Sequence, residues 1–142
     1  MHKVFIDSDI FIDIFAHRNP FYNSAAKVLT LIDQKKILGF TSPIVFTNIH
    51  YILSKLTTKE LALNNLRKLK SIIQIISIND KTIELALDSN FIDFEDAIQY
   101  HTAKSKDVGF IITRNKKDYQ KSIIPVCNAE EYLLIWTLEN QK

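Results

Sequence analysis

Val4-Phe5-Ile6-Asp7-Ser8-Asp9-Ile10-Phe11-Ile12-Asp13 is the stretch whose reading decides the fold. Val4 to Ile6 is a short apolar run of the kind that makes a buried strand, and Asp7 ends it with a charge. In open α/β folds, ligands and reactive groups collect just beyond the carboxyl ends of parallel strands. An aspartate there, with Asp9 two residues on, is therefore a candidate site residue. The competing reading is plain helix capping, for which Asp7, Ser8 and Asp9 are all suited. These residues alone leave both readings open.

Working outward, strands and helices alternate. Ile10 to Phe15 reads as a short helix. Phe21, Ala25, Val28, Leu29 and Ile32 recur at helical spacing, and Lys35-Lys36 suits a last turn. Ile37 to Thr41 is a second strand. Ser42-Pro43 starts a helix running to about Lys55, with Ser as N-cap and Pro in the first turn. Thr58 opens another, with Ala62, Leu63, Leu66 and Leu69 on its inner face. Ile72 to Ile76 is β-branched and apolar, hence a third strand. Asn79 or Asp80 caps a helix through Leu87, and Asp93 to Lys106 forms the next. Val108 to Ile112 is a strand ending at Thr113, followed by a helical turn from Asn115 to about Gln120. Ile123 to Val126 is the fifth strand, and Asn128 caps a closing helix with Ala129, Tyr132, Leu133 and Trp136 on one face. Five short apolar strands separated by helices imply a parallel sheet covered on both faces.

The chain of 142 residues reads as one domain over 1–142, with no internal repeat or linker. Its composition, 46% hydrophobic and 24% charged, is that of a soluble globular protein, and the expected compartment is the cytoplasm. No signal-peptide pattern and no membrane-length apolar run is present, so no membrane association is expected. The single cysteine, Cys127, excludes an internal disulfide and reads as a small buried hydrophobe. His2, His50 and His101 lack zinc-site spacing. A net charge of +2 is too small to argue for nucleic acid by itself.

The informative polar residues lie where strands end or helices begin. Asp7 and Asp9 follow the first strand. Asn48 lies in the helix after Thr41-Ser42. Asp93, Glu95 and Asp96 crowd the start of a helix, where the helix dipole alone also favours acids. Thr113, Arg114, Asn115 and Asp118 follow the fourth strand. Carboxylates from separate segments meeting at one sheet rim repel unless a cation lies between them. Oxygen-only ligation suits Mg²⁺ or Mn²⁺ rather than zinc.

These pieces resemble the PIN domain, the fold of many bacterial toxin ribonucleases of the VapC type. The resemblance rests on Ile6-Asp7-Ser8-Asp9 with Asp13, Thr41-Ser42 leading to Asn48, Asp93-Phe94-Glu95-Asp96-Ala97, and Ile111-Ile112-Thr113-Arg114-Asn115 with Asp118-Tyr119. It covers nearly the whole chain and implies a three-layer α/β/α sandwich with a parallel sheet of about five short strands. It also implies metal-dependent hydrolysis of RNA phosphodiester bonds, a cognate antitoxin and a homodimer. On that resemblance Asp7, Asp96, Asn48 and Asn115 form the catalytic set. Asp7, Asp96 and Asp93 hold the metal, and Asp9, Thr113 and Asp118 support them. The family's second acid is usually a glutamate, and Asn48 stands in its place. Asp93 or Glu95 is the candidate to restore that charge. If neither does, the alternative is a PIN-fold module that binds RNA or protein with little cleavage. A further alternative is a phosphoryl-transfer or signalling α/β domain whose first Asp cluster binds Mg²⁺; it requires a lysine after a late strand near the site, for which Lys116 could be mistaken.

Substrate grip is expected from cations. Between Lys104 and Lys121 six basic residues face two acids, Asp107 and Asp118. Arg114, Lys116 and Lys117 lie beside the expected site, where phosphates run. Arg18, after the first helix, is a further RNA contact. Phe21, Tyr22 and Tyr119 are candidate stacking faces. Tyr51, Leu53 and Leu56 are candidates for a surface receiving a partner.

Overall fold

A computed structural model of the chain describes residues 1–141. The elements are β1 (Lys3–Ile6), α1 (Ser8–Phe15), α2 (Tyr22–Asp33), β2 (Leu38–Thr41), α3 (Pro43–Leu56), α4 (Lys59–Lys70), β3 (Gln74–Ile75), α5 (Asp80–Leu87), α6 (Phe94–Lys104), β4 (Phe110–Ile112), β5 (Val126–Cys127) and α7 (Ala129–Glu139). A 3₁₀ turn, Lys116–Tyr119, lies between β4 and β5. The five strands form one parallel sheet in the order β3-β2-β1-β4-β5, the expected fold class.

This order puts β1 in the middle and makes it the point where the winding reverses. The chain leaves β1 for β2 on one side, and β4 pairs with β1 on the other. Ligand crevices in open α/β sheets form outside the carboxyl ends of such a strand pair. Val4, Phe5 and Ile6 are all buried. Successive strand residues point to opposite faces, so both faces of the central sheet are covered. Asp7 N–H donates to the Ile112 carbonyl at 3.1 Å, so the β1–β4 ladder continues up to the first aspartate.

Other contacts lock the helices that carry site residues. Ser42 caps α3 through the Val45 amide and also donates to Gln99 Oε1 on α6, tying the two helices inside the core. Thr41 Oγ1 donates to the Ile6 carbonyl at 2.9 Å, holding the ends of β2 and β1 together. Gly39 is required by close approach rather than by backbone conformation. A Cβ there would lie 2.5 Å from Ile32 Cδ1, so α2 is seated directly on β2.

Four elements differ from the sequence expectation, each for a local reason. α1 begins at Ser8 rather than Ile10, because Asp7 takes the cap position with extended backbone. β3 is only Gln74–Ile75. The Ile72 and Ile73 amides both turn back to the Leu69 carbonyl at the end of α4. β4 begins at Phe110, after Asp107 at φ 54° and Gly109, whose amide bonds Lys3. The fifth strand is Val126–Cys127, not Ile123–Val126. Ile123 is 76% exposed and Pro125 has no amide, although its carbonyl still receives Ile111 N–H. Leu53 is wholly buried and belongs to the core, so of the three residues expected at a partner surface only Tyr51 and Leu56 are exposed. Cys127 is buried as expected, with its thiol pushed up to about 12 by burial.

Candidate active site

Asp7 is where the β1 strand hands over to α1, and its carboxylate serves both as cap and as hub. Oδ1 accepts the Ser8 amide at 2.7 Å, and Oδ2 accepts Thr113 Oγ1 at 3.0 Å and the Tyr119 hydroxyl at 3.2 Å. Thr113 directly follows β4 and Tyr119 ends the 3₁₀ turn, so three segments converge on one carboxylate. Asp9, in the first turn of α1, anchors the β4 loop. Its Oδ2 accepts the Arg114 amide at 2.9 Å and Asn115 Nδ2 at 3.3 Å, with Thr113 Oγ1 at 3.4 Å. The Asn115 amide closes the loop onto Thr113 Oγ1 at 3.1 Å.

From the other side of the crevice, α6 brings Glu95 and Asp96. Asp93 caps that helix through the Asp96 amide at 3.1 Å, the purely structural role that its position also allowed. Asn48 on α3 donates Nδ2 to Glu95 Oε1 at 2.8 Å and lies 3.4 Å from Ser8 Oγ. Asn48 therefore holds an acid, supplied from α6, beside the first residue of α1.

The electrostatics show how closely these acids are gathered. Burial raises the Asp7 pKa, a shift opposed by its three hydrogen bonds and aided by the Glu95 charge. Asp9 is pushed up to about 6 by burial and then by Asp7. Asp96 is pushed up to about 7 by burial, then by Asp93, Asp118, Asp7 and Glu95. Burial and the Asp7 charge also raise the Tyr119 phenol, so it remains a proton donor to Asp7. Asp9 Oδ1 is buried with no hydrogen-bond partner. Negative oxygens crowded at a protein rim, one of them orphaned, form the environment that a hard cation relieves. Among the described residues no three acid, thiol or imidazole side chains already enclose a metal position. The donors nonetheless fit Mg²⁺ or Mn²⁺, because Mg²⁺ keeps several waters and binds through one or two carboxylates.

The structure places the expected cations differently. Arg114 was read as a phosphate contact, but its Nε and Nη2 are bound to Asp13 at 2.7 and 2.9 Å, and Asp13 is wholly buried. The guanidinium also covers the Phe21 ring, 4.0 Å from its centroid. Lys116 is paired with Glu131 at 2.9 Å. Lys117 is the cation of this loop that faces the acids. With Lys121, Asp93, Asp96 and Asp118 it lines a small cleft of about 120 Å³. Arg18 is exposed in the turn after α1, and among the described residues no contact joins it to the carboxylates.

Sequence reasoning did not assign Tyr119 to Asp7, Glu95 to Asn48 or Asp13 to Arg114. Only the last carried a signal. Asp13 falls among buried residues of an apolar helix, where an acid demands a partner.

A family model described as PIN domain matches residues 3–117. Ribonuclease VapC1 of Aquifex aeolicus (strain VF5) is 30% identical over 139 residues, covering 94% of this chain and 95% of that protein. Two solved structures share the fold. A toxin–antitoxin complex from Klebsiella pneumoniae has TM-score 0.68 at 24% identity, over 89% of this chain and 97% of that one. VapBC2 from Rickettsia felis, bound to a DNA fragment from its promoter, has TM-score 0.67 at 18% identity, with coverage of 89% and 97%. With the family model spanning most of its length and a relative aligned nearly end to end, the chain belongs to the PIN domain family.

Proposed function

We propose that this chain is a metal-dependent endoribonuclease that hydrolyses RNA phosphodiester bonds, and the toxin of a toxin–antitoxin pair acting in the cytoplasm. The observation that carries the reading is the convergence of Asp7, Asp9 and Asp96 at the carboxyl rim of β1 and β4, where burial and their mutual charges raise all three pKa values. Its support from relatives is a ribonuclease by name among curated proteins and toxin–antitoxin complexes among structures of the same fold.

In this reading Asp7 and Asp96 hold the divalent ion, and Glu95, gripped by Asn48, restores the charge absent at position 48. A bound divalent ion supplies an activated water and a counter-charge for the phosphodiester. The protein's own share is positioning. Thr113, Tyr119 and the Ser8 amide fix both oxygens of Asp7, so its geometry is set before substrate arrives. Asp9 fixes Thr113 and Asn115, and so fixes the loop that supports Asp7. Lys117 and Lys121, beside Asp96, are the cations for flanking phosphates. The exposed Tyr51 and Leu56 on α3 and Leu61 and Leu63 on α4 supply apolar surface for a second copy and an antitoxin segment.

The test is cleavage of a mixed RNA panel with Mg²⁺ or Mn²⁺, beside Asp7→Asn and Asp96→Asn. Both variants are expected to fold and to lose cleavage. Metal-dependent cleavage retained by both purified variants would move the site elsewhere.

A further inference from the structure

A second concavity adjoins the acidic crevice through Arg114. It has a volume of about 330 Å³, at the lower end of the range of small-molecule pockets. Its walls include Phe21, Pro20, Arg114, Asp13, Ser24 and Glu130. The Arg114 main chain is bound by Asp9 of the acidic site, so one residue belongs to both places.

We propose that this cleft is a nucleobase subsite, taking one unstacked base of the single-stranded RNA cleaved at the acidic rim. The inference rests on the ribonuclease reading. Three observations carry it. First, Phe21 is 41% exposed, and its ring is fixed by the Arg114 guanidinium. Aromatic rings and guanidinium planes are the two surfaces on which bases stack. Second, the guanidinium cannot swing away to grip a phosphate, since its fork is bound to both oxygens of the buried Asp13. A side chain locked by a bidentate pair is a rigid wall. Third, the charge is wrong for phosphate. Asp13 and Glu130 outnumber the one cation, and Arg114 is already neutralised. An uncharged, flat, partly apolar ligand is what remains.

Glu130 gives the subsite a preference. It is exposed in the first turn of α7, and unlike Glu131 it is not engaged by Lys116. A carboxylate only accepts hydrogen bonds, so it selects a base edge that presents donors. Guanine, with adjacent N1–H and N2–H₂ groups, meets that demand better than uracil.

Asp7→Asn keeps the RNA intact, so binding can be read by fluorescence anisotropy in Mg²⁺ with short oligo-G, -A, -C and -U strands. On that background Phe21→Leu, which keeps an apolar side chain but removes the ring, is expected to weaken binding roughly 5- to 100-fold, the loss of one stacked base. Glu130→Gln is expected to erase the preference for oligo-G while leaving overall affinity within a few-fold. Unchanged affinity in Phe21→Leu with cleavage intact in the parent protein overturns the subsite and leaves the ribonuclease reading standing. Failure of the parent protein to bind or cleave any RNA overturns both. Loss of antitoxin affinity in Phe21→Leu with RNA affinity retained would give the cleft to a protein segment and also overturn the proposal.

Discussion

Arg114 separates two readings of the same residue, a phosphate contact and a structural clamp. Arg114→Ala leaves Asp13 as a carboxylate with 0% exposure and both acceptor oxygens stripped of partners. Removing one member of a buried pair costs about 3–5 kcal/mol, because the other charge stays buried and uncompensated. For a domain of this size that lowers the melting temperature by on the order of 10 °C. The main-chain bond from Arg114 to Asp9 survives the substitution, so the loss belongs to the side chain. Thermal unfolding followed by circular dichroism at low salt and at 1 M NaCl is the assay. The loss should persist in salt, since a buried pair is poorly screened. The double variant Asp13→Leu/Arg114→Met should be more stable than Arg114→Ala, because no orphaned charge remains. If Arg114→Ala melts within about 2 °C of wild type while RNA affinity falls with a shallower salt slope, the clamp is wrong and the phosphate role is right.

Three further outcomes follow from the acidic rim. Tyr119→Phe removes the 3.2 Å donor to Asp7 and keeps the ring in the core; urea unfolding should show a loss of about 1 kcal/mol, and an unchanged midpoint would deny the bond any weight. Asp96, whose pKa is about 7 in the folded protein against 3.8 ordinarily, binds more protons folded than unfolded between those values. Metal-free stability contributed by this group therefore falls as pH rises from about 4 to 7 and is flat above; the stability advantage of Asp96→Asn should grow across that window, and an advantage independent of pH would exclude the crowding. Asn48→Glu replaces the amide that donates to Glu95 by a like charge, so without metal it should lower the melting temperature, and Mn²⁺ should raise it by more than in wild type. A metal-induced shift no larger than that of wild type would place position 48 away from the ion.

The parallel α/β class was legible because it is written in apolar periodicity and caps. Val4–Ile6, Ser42-Pro43 and the Asn128 cap of α7 act through neighbours in the chain, and local rules reach them. The strands at the sheet edges were poorly bounded. Ile72-Ile73 and Ile123-Ile124 have β-branched composition, yet amides donating to the Leu69 carbonyl and a turn that exposes Ile123 before Pro125 decide their state. Propensity sees the side chain and not the partner strand.

The candidate residues can be picked from the sequence but their pairings cannot, and the reason is the crossing of elements. Asp7 and Thr113 are separated by most of the chain and meet only because β1 and β4 are adjacent. No spacing rule links Asn48 to Glu95, since α3 and α6 are brought together through the buried Ser42–Gln99 contact. On the proposed reading, the same crossing of elements makes Asn48 at the family's second acidic place a weaker departure than it looks in the sequence. A metal site responds to charge in space, not to the element that supplies it. Burial raises the Asp7 pKa and the Glu95 charge on α6 adds to it, so that carboxylate is felt at Asp7 from across the crevice. In the proposed site Asn48, by donating to that carboxylate, would hold the charge that its own position lacks.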